Sequence, residues 1–150
     1  MQTIISKKPR FWRSWSSRPD IFEIGVDNET SMSTGRSGFV QSLVSEILPA
    51  DWGGLDQPFG AYDYRGKRIR FSAQLKTQKV VGEAALFMMI LGADKRTLLQ
   101  EAMRDRSFVG SNDWTKCNVI LDVPENARYI NIGGVIRGML LKGLKFHIMF

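Results

Sequence analysis

The chain contains few of the side chains on which common enzymes depend. His147 is its one histidine and Cys117 its one cysteine, and neither an HExxH zinc motif nor a GxSxG nucleophile motif is present. Pairs of carboxylates could hydrolyse glycosides without histidine, but nothing singles out a pair among the 15 Asp and Glu residues. We therefore predict no catalytic residues, no metal ligands and no cofactor, and we expect binding rather than catalysis.

The run EAALFMMILG indicates where a binding surface could lie, because six apolar side chains follow one another in it. A strand alternates its side chains between two faces, so this one needs cover on both. If Leu86, Met88 and Ile90 fill a core, the side chains between them project from the opposite face. Phe87 and Met89 would then belong to an apolar groove or interface. The alternative is that a loop or the segment DKRTLLQEAMRDR covers them.

Alternation of apolar and polar residues dominates the rest of the chain. It is clearest in IRFSAQLK, where one face carries Ile69, Phe71, Ala73 and Leu75. A second alternating run, which includes Cys117, is separated from a third by the corner VPENA, where Pro124 fixes φ and cannot donate to a ladder. DKRTLLQEAMRDR contains good helix formers, but we interpret it as strand residues followed by an irregular or helical connection.

Weaker strand patterns occur at 21–26, 37–44, 55–61 and 139–148, separated by turn clusters such as MSTGRSG and YRGK. Short strands with turns roughly every 8–12 residues are typical of an all-β sandwich. The fold class that we predict is all-β, a jelly-roll β-sandwich of two antiparallel sheets with about eight strands.

The composition fits one ordinary globular domain. The chain has 150 residues, 43% of them hydrophobic and 24% charged, so residues 1–150 can form a single β-sandwich domain. We expect least order in residues 1–10. A single cysteine requires no oxidising compartment, and no run reaches the ~20 apolar residues of a membrane span. These features favour a cytoplasmic protein with no membrane partner.

Three segments together resemble a known group of domains: YRGKRIRFSAQLKT, EAALFMMILG and DRSFVGSNDWTKCNVILDVPENARYINIGGVIRG. Their pattern is similar to jelly-roll domains of the galactose-binding-like and carbohydrate-binding-module type. FEIGVDNETSMSTGRSGFVQS resembles the first strand, turn and second strand of that group. The chain is most similar to bacterial domains labelled AraC-type transcription regulators, although it contains no helix-turn-helix pattern. The resemblance implies a carbohydrate or another small polar ligand on the concave sheet face.

Sugar-binding sandwiches of this type join an aromatic platform to polar side chains that hydrogen-bond to hydroxyl groups. Phe87 could stack against a sugar ring, and Trp52 in ADWGG could cap the groove. Arg70 and Arg137 could pair with an acidic group on a ligand. The full set of candidate ligand-binding residues is Trp52, Gln57, Arg70, Gln74, Phe87, Met89, Asn131 and Arg137.

Two other kinds of partner remain as alternatives. The first is a regulatory or structural domain whose apolar face binds a protein or a second copy of itself, within a transcription regulator. The second is single-stranded nucleic acid, for which Arg65, Lys67, Arg68 and Arg70 lie close to two tyrosines. The net charge of +6 suits acidic partners, but solvated surface is the simpler explanation. We therefore expect no nucleic-acid partner.

The last strand departs from the resemblance, because Lys142 and Gly143 stand where many such sandwiches carry acidic residues. A lysine opposes the several oxygen ligands that calcium needs. Asp27 and Glu29 carry carboxylates in the first turn, but solvated turn residues are the simpler interpretation. We therefore expect no calcium site.

This departure generates a prediction about thermal stability. Calcium should leave the melting temperature of the domain unchanged, measured by differential scanning fluorimetry with and without a chelator. A bound ion at a hundred times its dissociation constant would add about 2.7 kcal/mol to the free energy of unfolding. A melting shift of that size in micromolar calcium would contradict the prediction.

Overall fold

A computed structural model of the protein describes residues 2–4, 12–27, 37–43, 51–138 and 140–149. They form ten strands: β1 (Gln2–Ile4), β2 (Arg13–Ser16), β3 (Phe22–Asp27), β4 (Ser37–Ser42), β5 (Trp52–Gly60), β6 (Arg68–Leu91), β7 (Thr97–Glu101), β8 (Phe108–Asp122), β9 (Tyr129–Arg137) and β10 (Leu140–Met149). The described residues contain two 3-10 turns, at Pro19–Ile21 and Tyr62–Tyr64, and no α-helix. None of their helices could cross a bilayer.

The long strand β6 connects two layers of strands into one continuous sheet. Its first half pairs with β8 on one edge and with β1 and β10 on the other, and β10 continues to β4 and β3. Its second half pairs with β7 and β9, and β9 continues to β5 and β2. We call these groups the first layer and the second layer. All pairs are antiparallel except β1 with β6.

The all-β jelly-roll prediction is confirmed, with two differences in detail. The structure has ten strands rather than about eight, and β6 belongs to both layers instead of each sheet being separate. DKRTLLQEAMRDR forms the short strand β7 and then an irregular connection, with no helix. Of the N-terminal segment in which we expected least order, residues 2–4 form β1 and residues 5–10 lie outside the described part.

The core lies between the two layers, where the predicted alternation holds. The apolar row of IRFSAQLK is buried, as are Leu86, Met88 and Ile90 of the second half of β6. Close contact between the layers depends on small residues, since a Cβ on Gly53 of β5 would lie 2.9 Å from the ring of Phe22 of β3. Cys117 is partly buried against this core, and burial raises the pKa of its thiol to about 12.

Phe71 provides a direct test of the core. Its side chain is fully buried, so Phe71→Ala should lower the free energy of unfolding by about 3–5 kcal/mol through lost burial and a residual cavity. Urea denaturation measures the effect. Val109→Ala is the control, because Val109 is 60% exposed and its truncation should change stability by less than about 0.5 kcal/mol. Equal effects of the two substitutions would contradict the assignment of Phe71 to the core.

Candidate ligand-binding site

The register of the second layer brings five of the predicted site residues onto its outer face. Strand partners share a face, and β5, β9 and β6 place Trp52 opposite Arg137 and Arg137 opposite Glu83. Further along the same face, Asn131 lies opposite Met89. Phe87 is the fifth predicted residue on this face, where it lies opposite Gly133.

An open cleft of about 200 Å³ lies on this face. One side of the cleft is lined by the aromatic residues Trp15, Trp52 and Phe87, together with Met89. The ring centroids of Trp15 and Trp52 are 4.0 Å apart, and those of Trp15 and Phe87 are 5.7 Å apart in an edge-on arrangement. Trp15 contacts both of the other rings, so the three aromatic side chains form an apolar wall.

Phe87 differs from its predicted role. Its side chain is 4% exposed, so it cannot offer a ring face for a sugar to stack on, and it instead supports Trp15 from below. Trp15 contacts the Phe87 ring edge-on, and residues 100–102 of β7 and the connection after it line the same cleft. The row opposite the core is therefore partly covered, and the exposed aromatic surface of the cleft belongs to Trp52 and Trp15.

A buried carboxylate fixes the position of β2 and hence of Trp15. Asp56 is 2% exposed and accepts hydrogen bonds from Arg13 Nη2 at 2.6 Å and from Asn131 Nδ2 at 2.7 Å. Arg13 and Trp15 lie two residues apart on a strand, so the ion pair holds the tryptophan over the face of the layer. The indole N–H of Trp15 and Oδ1 of Asn131 have no hydrogen-bond partner among the described residues.

A second carboxylate fixes Trp52. Asp51 accepts hydrogen bonds from Arg18 Nη2 at 2.7 Å and from Ser17 Oγ at 3.1 Å. The backbone N–H of Trp52 donates to Ser17 Oγ at 3.0 Å, and the backbone N–H of Ser17 donates to the Trp52 carbonyl at 2.9 Å. Both tryptophans of the cleft are thus positioned by buried or partly buried polar contacts.

The rim of the cleft beside Trp52 is charged. Oε1 of Glu83 lies 2.9 Å from Nε of Arg137 and 3.1 Å from Nη1 of Arg104. Nη2 of Arg137 also donates to the Ala102 carbonyl at 3.3 Å. Burial lowers the pKa of Arg137 from its ordinary value and the Arg104 charge adds to this, whereas Glu83 opposes it. Arginine nevertheless remains protonated in proteins, so the rim carries two guanidinium groups around one carboxylate.

Three predicted residues lie away from the cleft. Gln57 pairs with Ile132 and faces the inner side of the second layer. Arg70 and Gln74 lie on the first half of β6, opposite Ile120 and Lys116 in the first layer. The structure therefore does not bring these three together with the five on the outer face.

Sequence reasoning missed Trp15, Glu83 and Arg104 as members of the site. A signal existed for Trp15, because RSWS alternates Arg13 and Trp15 with two serines and so predicts a common face. No signal identified Arg104, since it lies in the irregular connection after β7 and reaches the cleft only through tertiary structure.

Two of the basic residues considered for nucleic acid have partners within the domain. Arg65 stacks over Tyr62 and donates to the Ala127 carbonyl, and Arg68 pairs with Asp122. Tyr64 contacts Phe59 edge-on. Within the described residues no group of three His, Cys, Asp or Glu side chains could hold a metal ion. The calcium prediction concerns Glu29 and the side chains of Asp27 and Lys142, which are outside the described part.

Comparison with solved structures identifies the class of fold. The chain is similar to a structure of the CBM22-1 and GH10 modules of Clostridium thermocellum xylanase 10B with xylohexaose, with a TM-score of 0.64 and 15% identity over 93% of this chain and 25% of that one. It is also similar to a xylan-binding domain from CBM22, with a TM-score of 0.57 and 12% identity over 93% and 83% of the two chains. The predicted resemblance to jelly-roll carbohydrate-binding modules is confirmed for the fold.

Comparison with curated sequences gives a particular relative. The chain is 31% identical over 137 residues to the uncharacterized HTH-type transcriptional regulator YbfP of Bacillus subtilis (strain 168). The match covers 91% of this chain and 46% of that protein, so the chain spans about half the length of this relative. No protein-family model matches the chain.

The glycine beneath Phe87 yields a test of how the cleft is built. A Cβ at Gly133 would lie 2.7 Å from the Phe87 ring and would also meet the Leu55 carbonyl oxygen. Gly133→Ala should therefore lower the free energy of unfolding by about 1–3 kcal/mol, measured by urea denaturation. Gly60→Ala is the matched control, because a Cβ there would meet no atom within 4 Å. A Gly133→Ala protein as stable as the Gly60→Ala protein would contradict this geometry.

Proposed function

We propose that the domain is a non-enzymatic binding module for a carbohydrate or another small polar ligand, and that the ligand occupies the cleft on the outer face of the second layer. The observation that carries the proposal is the cleft itself, where Trp52 and Trp15 meet the charged rim. Aromatic faces stack against the C–H groups of sugars, while arginine and carboxylate side chains hydrogen-bond to hydroxyl groups.

The surroundings of the cleft support binding over catalysis. His147 lies on β10 of the first layer, near Trp114 and Phe39. The two glutamates at the cleft are both engaged by arginines, Glu83 as described above and Glu101 through Arg106 at 2.6 Å. The described part of the cleft therefore lacks both a histidine base and a carboxylate without an arginine partner.

A second candidate function comes from the sequence relative. YbfP is named as an HTH-type transcriptional regulator, and this chain matches about half of its length. The domain would then be a regulatory or self-associating module of a longer protein with a DNA-binding segment. Sedimentation analysis distinguishes this candidate, because a self-associating module should show a concentration-dependent mass in the absence of any sugar.

Trp52→Ala tests the carbohydrate proposal. NMR titration with glucose, galactose, xylose and short oligomers of each should identify a bound sugar, and Trp52→Ala should weaken its binding at least about tenfold, equivalent to about 1.4 kcal/mol. Aromatic anchors commonly contribute this much to binding. Tyr62→Ala is the control, because Tyr62 is 78% exposed and does not line the cleft. Binding that survives Trp52→Ala unchanged would place the site elsewhere.

A further inference from the structure

Two guanidinium groups at the rim of the cleft share a single carboxylate. Glu83 supplies one carboxylate to two guanidinium groups, those of Arg104 and Arg137, through the same oxygen. The other carboxylates nearby have arginine partners of their own, since Asp51 pairs with Arg18 and Glu101 with Arg106. Arg106 also pairs with Asp105, so Arg104 and Arg137 are the two arginines here that depend, within the described residues, on one shared carboxylate oxygen.

The two arginines that share Glu83 lie at the edge of the aromatic surface. Next to the cleft is a hollow of about 350 Å³ lined by Asp51, Trp52, Glu83, Arg104 and Arg137, among others. Trp52, Arg104 and Arg137 line both the cleft and this hollow. A ring stacked on Trp52 would consequently have a substituent within reach of two guanidinium groups.

Arg137 is fixed in position, whereas Arg104 has N–H donors available to bind an anion. Arg137 is held in place, with its side chain 19% exposed, ion-paired with Glu83 and hydrogen-bonded to the Ala102 carbonyl. The side chain of Arg104 is 70% exposed and makes one hydrogen bond among the described residues, through Nη1. A guanidinium carries five N–H donors in a fork that matches a carboxylate. Arg104 thus retains donors for a ligand.

We propose that the cleft prefers sugars that carry a carboxylate, such as hexuronic acids, with the ring against Trp52 and the carboxylate at Arg104 and Arg137. This inference rests on the proposed carbohydrate-binding function and adds the chemical class of the ligand. A ligand carboxylate would give the two guanidinium groups that share Glu83 a second anionic acceptor, in a partly buried place where charge-assisted hydrogen bonds are strong. The burial that lowers the pKa of Arg137 is consistent with a guanidinium that gains from another anion.

Matched pairs of sugars test the inference. D-galacturonic acid is compared with D-galactose, and D-glucuronic acid with D-glucose, by NMR chemical-shift titration of the isotope-labelled domain at constant ionic strength and neutral pH. We expect the acids to bind about tenfold more tightly than their neutral counterparts, which corresponds to about 1.4 kcal/mol. Added salt should reduce this preference, because the contact is electrostatic.

Three variants assign the preference to the rim. Arg104→Gln should reduce the ratio of acid to neutral affinity to about one, whereas Glu83→Gln, which removes the competing carboxylate, should increase it. Arg96→Gln is the control, because Arg96 is 86% exposed in the turn before β7 and its loss changes the net charge by the same amount. Thermal melts of each variant verify that the fold is retained.

The outcomes separate this inference from the proposed function. Neutral sugars that bind as tightly as the acids would overturn the preference and leave the carbohydrate proposal standing. If neither kind produces shifts at the cleft, both are overturned. Sodium acetate serves as an anion without a ring, and shifts equal to those caused by the acids would show an anion site that does not recognise a sugar. An equal loss in Arg104→Gln and Arg96→Gln would overturn the role of Arg104.

Discussion

The architecture depends on a change within β6 in which set of alternate side chains points toward the core. The row that faces the core is odd-numbered from Ile69 to Thr77 and even-numbered from Val80 to Ile90, whereas Ala85 and Phe87 are buried on the opposite face. A regular strand cannot make this change, because its side chains alternate strictly. Register shifts against β8 occur between residues 75 and 84, and Lys79 adopts a φ of 55°. This bulged region lets one strand serve two layers while both halves keep an apolar row toward the same core.

The bulge also determines which apolar side chains of β6 lie on the outer face of the second layer. Because Leu86, Met88 and Ile90 face inward, Phe87 and Met89 face outward beside β9 and β5, where they meet Trp15 and Trp52. Without this change, Phe87 would point toward the core and would no longer be part of the aromatic wall of the cleft. The same irregularity therefore produces both the two-layer core and the aromatic wall of the candidate site.

This dependence explains how far sequence reasoning could reach. Alternation within one strand is local, so the buried rows of β6 and the all-β class were predictable before any tertiary contact was known. Site membership depends on register between strands, and a shift of one residue reverses every side chain. Gln57 was lost from the site for this reason, since it has suitable chemistry but faces inward opposite Ile132. Arg104 was missed because an irregular connection has no periodicity from which its position could be deduced.

Core packing and the proposed ligand contacts involve different residues at the cleft, and this separation decides which side chains can report on binding. Phe87 is almost fully covered and contacts Trp15, so its truncation would remove apolar burial and disturb a ring above it. Binding measured in such a variant would mix the two effects. Arg104 is largely exposed and pairs with a carboxylate that Arg137 also engages. Removing its charge leaves Glu83 with a partner, so the fold keeps its ion pair while the charge offered to a ligand changes.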